Sequence, residues 1–318
     1  MKILTLTMNP VIDKSTQADM VLPKKKNRCD SPVYEPGGGG INVSRAIKKL
    51  GNSSVAWYLA GGKSGDMLYD LLEEEKIDQR KFNTDKDIRE NLMVFDKSTG
   101  ENYRFTMAGP EFTKSDWKEI LQAITDLDEN PEYVVASGSL PPGVPDDFYA
   151  RVAEKCKSIG SRFILDSSGD ALEKALQAGV YLFKPNFREM ASLIGKEDLT
   201  GMEMEKEARV FLENNPCEVI VLSLGSKGSM LIQQNKKPEY IIPPTMPVKS
   251  AVGAGDSMVA GIITGLIQGL DVSEAAQYGV AAGTAATLTE GSQLCRREDT
   301  EEIFKWLKSS RIMNDPNE

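Results

Sequence analysis

The 318-residue chain contains no histidine. That absence excludes a Ser-His-Asp triad, a Cys-His dyad and any His-ligated zinc site. A general base, if there is one, must be Asp, Glu, Lys, Tyr or Cys. Cysteine is scarce as well. Cys29, Cys156, Cys217 and Cys295 form no Cys-x-x-Cys pair, and a chain of this length needs no disulfide staples. They read as reduced thiols, which implies a cytoplasmic location. Basic residues are outnumbered, 38 Lys and Arg against 47 Asp and Glu, for a net charge of −9. A field of that sign disfavours nucleic acid and anionic membranes as partners. Long apolar runs are missing too. The longest, Val259 to Leu270, is broken by Gly261, Gly265, Gln268 and Gly269 and reads as a buried helix, not a membrane span. The segment Met1 to Thr7 is too short and too quickly polar for a signal peptide.

What is present suits one large α/β domain with room for a small appendage: 40% of residues are hydrophobic. Ile3–Leu6 and Val55–Leu59 read as buried strands. A stripe at Val43, Ala46, Ile47 and Leu50, stopped by Gly51, predicts a helix, and 66–75 a second. From Tyr133 the chain alternates. Apolar strands begin near Tyr133, Arg162, Tyr181 and Glu218, and helices cover 115–128, 146–159, 170–178 and 187–194. This is the pattern of a mostly parallel sheet covered on both faces. Antiparallel strands at 228–232 and 240–242 follow, then helices at 255–268, 273–287 and 299–308, with a frayed polar tail from Ser309. Two β-like pieces, 11–34 and 89–107, stand outside the alternation. They read as a small projecting sheet of two or three strands. The main domain then comprises 1–10, 35–88 and 108–318.

Six motifs carry candidate chemistry. Val252-Gly253-Ala254-Gly255-Asp256-Ser257 runs into an apolar helix. Its glycines and the helix N-terminus can cradle an anion, with Asp256 as general base or metal holder, although Asp is also a common N-cap. The run Gly37 to Gly40 before Ile41-Asn42 permits close backbone approach to a ligand, or a flexible turn. Ser137-Gly138-Ser139-Leu140-Pro141-Pro142-Gly143 follows a strand, where open α/β sheets bind ligands. In Lys184-Pro185-Asn186-Phe187-Arg188-Glu189, Asn186 can cap a helix or join Glu189 in holding water around magnesium. Gly225 and Gly228 of Ser223-Leu224-Gly225-Ser226-Lys227-Gly228 can admit a nucleotide or make a hairpin turn. Asn9-Pro10 precedes Asp13, which can accept from sugar hydroxyls. Arg89 and Arg104 flank or lie in a hairpin and can clamp a phosphate, although each alone also suits a solvated surface. Gly62-Lys63-Ser64 looks like the end of a P-loop, but Trp57 stands where that motif requires glycine.

Taken in order, these motifs resemble the ribokinase-like carbohydrate kinases of the PfkB group over essentially the whole chain. Within the group the similarity is greatest to the minor bacterial 6-phosphofructokinases. Arg28-Cys29, Glu35 to Val43, Tyr103-Arg104-Phe105, Asp166 to Gly169 and Gly279 to Gly283 support this. Gly39 stands where 1-phosphofructokinases usually carry Lys, while tagatose-6-phosphate kinases are harder to separate. The resemblance implies a three-layer α/β/α domain with a β-sheet lid, and ATP-dependent phosphorylation of a sugar phosphate, most directly fructose 6-phosphate. It makes Asp256 the base and Gly253, Ala254 and Gly255 the anion hole. Asp13, Gly38, Gly39 and Asn42 would hold the sugar. Lys26, Arg89, Arg104 and Ser139 would bind its phosphate or nearby oxygens. Lys184, Asn186, Ser223, Gly225 and Gly228 would line the ATP site, and Glu189 would order the Mg2+ shell. A K+ site would use backbone oxygens near Ser250, Val252, Ala286 and Gly291. Thr289 and Gln293 stand in that region, where relatives vary.

The resemblance also implies a homodimer. The lid apolar residues Val11, Ile12, Val21, Leu22, Val33, Leu92, Val94 and Phe105 need cover, and a twofold pairing of lids would supply it. The local run Lys24 to Arg28 would then sit at the rim, with Lys26 reaching the partner's site. A non-catalytic sugar-phosphate sensor on the same fold is the competing class of function.

Overall fold

The computed structural model describes residues 2–196, 199–291 and 293–313. The elements, in chain order, are β1 (Ile3–Thr7), β2 (Val11–Ala18), β3 (Val33–Gly37), α1 (Gly39–Lys49), β4 (Val55–Gly61), α2 (Gly62–Glu74), β5 (Asp78–Thr84), β6 (Arg89–Asp96) and β7 (Glu101–Phe105). There follow α3 (Lys114–Thr125), β8 (Tyr133–Ser137), α4 (Phe148–Ser158), β9 (Arg162–Asp166), α5 (Gly169–Ala178), β10 (Val180–Phe183), α6 (Phe187–Leu193), α7 (Gly201–Asn214) and β11 (Cys217–Ser223). The last are β12 (Ser229–Gln233), β13 (Glu239–Ile241), α8 (Ala254–Ile267), α9 (Val272–Ala286) and α10 (Arg297–Met313).

Nine strands form one sheet in the order β13-β12-β11-β10-β9-β8-β1-β4-β5. The pairs from β11 to β5 are parallel, and β12 and β13 are antiparallel at one edge. Strands such as β8, Tyr-Val-Val-Ala-Ser, are buried throughout. They carry no polar alternation because helices cover both faces. One face packs around Leu6, Trp57, Phe148, Leu165 and Phe183, against α3 to α7. The other packs around Val43, Ile47, Val135, Val259 and Ala282, against α1 and α8 to α10. Chain order reverses between β1 and β8, which puts a ligand crevice at the carboxyl ends of these strands. No helix among the described residues is long and apolar enough to cross a membrane.

The second sheet has four strands, β3-β2-β6-β7, where two or three are expected from the sequence. The extra strand is β3, Val-Tyr-Glu-Pro-Gly, which runs to the glycine loop and so extends past residue 34. This sheet is buttressed by the main domain: Ile12 and Ile88 pack with Leu68 and Leu72 of α2. Val11, Ile12 and Val94 are therefore already buried within one chain and need no partner. Val33, Phe95, Phe105 and Met107 remain exposed. Two other expectations change. The helix expected over 66–75 begins at Gly62, so Gly62-Lys63-Ser64 is its first turn, with Ser64 N–H donating to Asp87, in line with the rejection of a P-loop there. Helix α10 continues through Met313 instead of fraying from Ser309, and the end of the expected tail lies outside the described residues.

Candidate active site

Asp256 lies in the first turn of α8. The residue capping that helix is Gly253, at φ +75°, where a Cβ would stand 2.5 Å from Leu294 Cδ2. Glycine is thus demanded twice, by conformation and by space. A helix start leaves its first N–H groups without intrahelical acceptors; here Ala254 N–H makes a long contact, 3.4 Å, to the Ala251 carbonyl. Asn42 Nδ2 donates to Asp256 Oδ2 at 2.9 Å, and Ser137 Oγ lies 3.4 Å from Oδ1. The half-buried carboxylate has its pKa pushed up to about 7. Burial is the main cause, and the Asp166 carboxylate adds to it. The Asn42 hydrogen bond, the Lys184 ammonium and Ser137 pull the other way. A carboxylate that titrates near neutrality is suited to accept a proton.

Lys184 is buried and pairs with Asp166 at 3.1 Å. Burial pulls its pKa down, but Asp166, together with the Asp256 and Glu189 carboxylates, outweighs that and the net shift is upward, so it stays an ammonium. Its Nζ lies 3.6 Å from where a Gly255 Cβ would stand, which puts a fixed cation beside the N-terminus of α8. Asp166 ends β9, and its carbonyl accepts from Gly138 N–H at 2.9 Å. Tyr149 Oη and Ser167 Oγ both donate to the Gly138 carbonyl, at 3.0 and 3.1 Å. The turn carrying Ser137 and Ser139 is thereby pinned. Gly38 has φ +111°, and a Cβ on Gly39 would lie 2.3 Å from Ser137 Oγ. The glycine run is close packing, of Gly37 on β2, Gly40 on β1 and Gly39 on β8, not a flexible turn.

On the lid sheet, register puts Asp13, Glu35, Arg89, Asn91 and Arg104 on one face. Asn91 Nδ2 donates to Asp13 Oδ1 at 3.0 Å, and Asp13, Glu35, Asn91, Arg104 and Val252 line one groove. Arg89 donates to the Asn9 carbonyl at 3.1 Å, while Asn9 Nδ2 donates to Ser139 Oγ at 3.1 Å. Burial lowers the Arg89 pKa, partly offset by Asp13. Arg89 Nε and Asn9 Oδ1 are buried without a hydrogen-bond partner, the condition expected of groups that meet a polar ligand. Lys26 is not brought to this groove. It sits exposed on the loop between β2 and β3. That loop is closed by Asn27, which accepts from Leu22 N–H and donates to the Leu22 carbonyl.

Asn186 and Glu189 form a reciprocal capping box at the start of α6. Glu189 Oε2 accepts from Asn186 N–H, which leaves the other carboxylate oxygen for the water shell of a magnesium ion. Ser223 Oγ donates to the Pro185 carbonyl at 3.3 Å. A Cβ at Gly225 would meet nothing, whereas one at Gly228 would stand 2.0 Å from the Ile241 carbonyl. Gly228 is thus required by the close approach of β13. Ser250 Oγ donates to the Gly291 carbonyl at 3.0 Å, and Thr289 Oγ1 to that of Ala286 at 2.8 Å. The Gly291 carbonyl keeps a second lone pair for a cation, whereas the Ala286 carbonyl also accepts from Thr289 N–H at 3.3 Å and is already used twice. The positions not assigned from sequence are Ser137, Asp166 and Asn9. Each lies in a motif or matching stretch of the sequence, at or just after a strand end, but no local pattern says which residue there carries the contact.

The family profile "pfkB family carbohydrate kinase" matches residues 6–299. The chain is 40% identical over 304 residues to ATP-dependent 6-phosphofructokinase isozyme 2 of Mycobacterium tuberculosis, covering 96% of this chain and 89% of that protein. It is 37% identical to isozyme 2 of Escherichia coli, with 96% and 99% covered, and 31% identical to a 1-phosphofructokinase of Bacillus subtilis, with 98% and 100% covered. A structure of E. coli phosphofructokinase-2 with potassium superposes with a TM-score of 0.93, at 36% identity and 96% and 99% coverage. The E. coli protein is also known with fructose-6-phosphate and as a tetrameric inhibited form. The profile spans the site from the strand before Asp13 to the loop around Gly291, and the fold agrees along the chain: it belongs to the pfkB family of carbohydrate kinases.

Proposed function

We propose that the protein transfers a phosphoryl group from ATP to fructose 6-phosphate, giving fructose 1,6-bisphosphate. The observation that carries this reading is Asp256: a carboxylate titrating near 7, at the N-terminus of α8, held by Asn42 and faced by Lys184. Asp256 takes the proton from the sugar hydroxyl as it attacks. The backbone N–H groups of Gly253, Ala254 and Gly255, with Lys184, stabilise charge on the transferred phosphoryl. Asp13, Gly38, Gly39 and Asn42 orient the sugar. Arg89, Arg104 and Ser139 meet its phosphate, supported by the unpartnered Arg89 Nε. Asn186, Ser223, Gly225 and Gly228 border ATP. Glu189 holds the water shell of Mg2+, which when bound neutralises phosphate charge. Ser250, Val252 and Gly291 would offer oxygens to K+, while the Ala286 carbonyl already accepts two hydrogen bonds from Thr289.

Gly39 supports fructose 6-phosphate over fructose 1-phosphate, because 1-phosphofructokinases usually carry Lys at this position and the packing against Ser137 leaves no room for a side chain here. The presence of Asp256 argues against a non-catalytic sensor. The test is a coupled assay of ADP formation with fructose 6-phosphate, fructose 1-phosphate and tagatose 6-phosphate. The highest kcat/KM is expected for the first, and a clear preference for either of the others overturns the assignment. We also propose a homodimer joined through the lid sheets, supported by exposed Val33, Phe95 and Phe105, with Lys26 acting in the partner's site. Mixing Asp256→Asn and Lys26→Ala subunits should restore activity above either parent. Proven exchange without a rise, given an impaired Lys26→Ala parent, refutes delivery in trans.

A further inference from the structure

Asn42 does more than border the sugar: its amide nitrogen is spent on Asp256 Oδ2. The two ends of an amide differ, since Nδ2 only donates and Oδ1 only accepts. Rotated by half a turn, Asn42 would present an oxygen to the carboxylate and lose the contact. Something must select the productive orientation. The group on the other side of Asn42 is Arg45, one helical turn along α1, whose Nη1 lies 3.4 Å from Asn42 Oδ1. A guanidinium can only donate, so it favours the amide oxygen and disfavours the amide nitrogen.

Arg45 is itself immobilised. It is 3% exposed. Its Nε donates to both Glu75 oxygens, at 3.0 and 2.8 Å, and Nη2 donates to Glu75 Oε1 at 2.6 Å. Nη1 also donates to the Pro36 carbonyl at 2.9 Å, and Glu35 Oε1 lies 3.8 Å from Nη2. A fork of this kind fixes the guanidinium plane as well as its charge. Glu75 caps the C-terminus of α2, remote in sequence from α8.

We propose that the Glu75–Arg45 pair is a positioning device for catalysis: it locks the Asn42 amide so that Nδ2 holds Asp256 Oδ2 and Oδ1 is left as the oxygen that receives the proton. This rests on Asp256 being the base. Ser137 Oγ, 3.4 Å from Oδ1, is the neighbour of that remaining oxygen. The charged groups facing Asp256 are Asp166 from the end of β9 and Lys184 from just after β10. Arg45 acts only through Asn42, with Glu35 and Glu75 behind it.

The test is a mutant cycle read by steady-state kinetics across pH. Glu75→Gln preserves shape but weakens the fork. It should lower kcat about tenfold, the effect of one weakened coupling, and move the acid limb of the kcat profile to higher pH. The KM values for the sugar phosphate and ATP should change less than about threefold, the pattern of a lost transition-state interaction. In an Asn42→Ala background the same substitution should cost nothing further, because the amide it orients is gone. Arg45→Lys, which keeps charge without the fork, should repeat the Glu75→Gln result. Should Arg45→Lys not fold, Glu75→Gln alone decides, its fold verified by an unchanged circular dichroism spectrum. Unchanged kcat and acid limb in Glu75→Gln, or a full tenfold loss repeated in the Asn42→Ala background, overturns the proposal. Asp256→Asn measured alongside separates the two levels. Near-normal turnover there refutes the base. A crippled Asp256→Asn with an unaffected Glu75→Gln refutes only the positioning device.

Discussion

Replacing Asp256 by Asn should cripple catalysis and at the same time stabilise the protein. The folded chain raises the Asp256 pKa from 3.8 to about 7, chiefly by burial. At about 1.4 kcal/mol per unit, holding the carboxylate ionised in the folded state costs up to about 4 kcal/mol. The group is only half-buried, and solvent screening reduces the recoverable part to about 1–2 kcal/mol. The sign follows from linkage. A carboxyl with a raised folded pKa binds its proton more tightly in the native state. Its contribution to stability is complete below pH 3.8 and is lost as pH rises to about 7. The neutral amide that Asp256→Asn introduces does not titrate, and its oxygen can still accept from Asn42 Nδ2. The Tm of Asp256→Asn should therefore exceed the wild-type value by about 2–5 °C at pH 8, and the gap should shrink as pH falls toward 4. Calorimetry of both proteins at four pH values checks this. A variant no more stable than wild type at pH 8, or a gap independent of pH, refutes the argument that Asp256 is a strained, poised base.

Other substitutions test neighbouring parts of the account. Arg89→Ala should raise KM for a phosphorylated sugar by about 10- to 100-fold, the loss of a charge-assisted pair, while KM for ATP changes little. Steady-state kinetics with each substrate varied in turn measures both. Lys184→Met leaves the partly buried Asp166 without its cation and should destabilise the fold by about 2–3 kcal/mol, read by chemical denaturation. Gly228→Ala would drive a Cβ to 2.0 Å from the Ile241 carbonyl at φ +87° and should lower Tm through strain of about 1–3 kcal/mol. A Tm equal to wild type would show that β13 can yield there.

The main sheet is legible in the sequence because its parallel strands are unbroken apolar runs. The edges are not. Strand β5, Asp-Gln-Arg-Lys-Phe-Asn-Thr, buries only Phe82 and carries no strand pattern of its own. Its pairing with β4 is a tertiary fact. Helix α7 does carry a signal that the strand–helix alternation passes over: Met204, Ala208 and Leu212 recur at helical spacing behind a Thr200–Glu203 capping box. In the site, the glycine-rich loops announce themselves because positive φ and close approach restrict the residue type. The contacts that tune Asp256 do not. Asn42 lies 214 positions away in sequence, and the Glu75 fork on Arg45 spans 30. No local pattern encodes such meetings. The family resemblance assigns Asn42 to the sugar alone, whereas the structure gives its donor to Asp256.

The central claim is that Asp256 removes the proton from a sugar-phosphate hydroxyl. The direct measurement is kcat of Asp256→Asn with saturating ATP and fructose 6-phosphate, beside KM for both. A fall in kcat of about 10²- to 10⁴-fold with KM values kept within a few-fold is the predicted result. Near-normal kcat in that variant contradicts it.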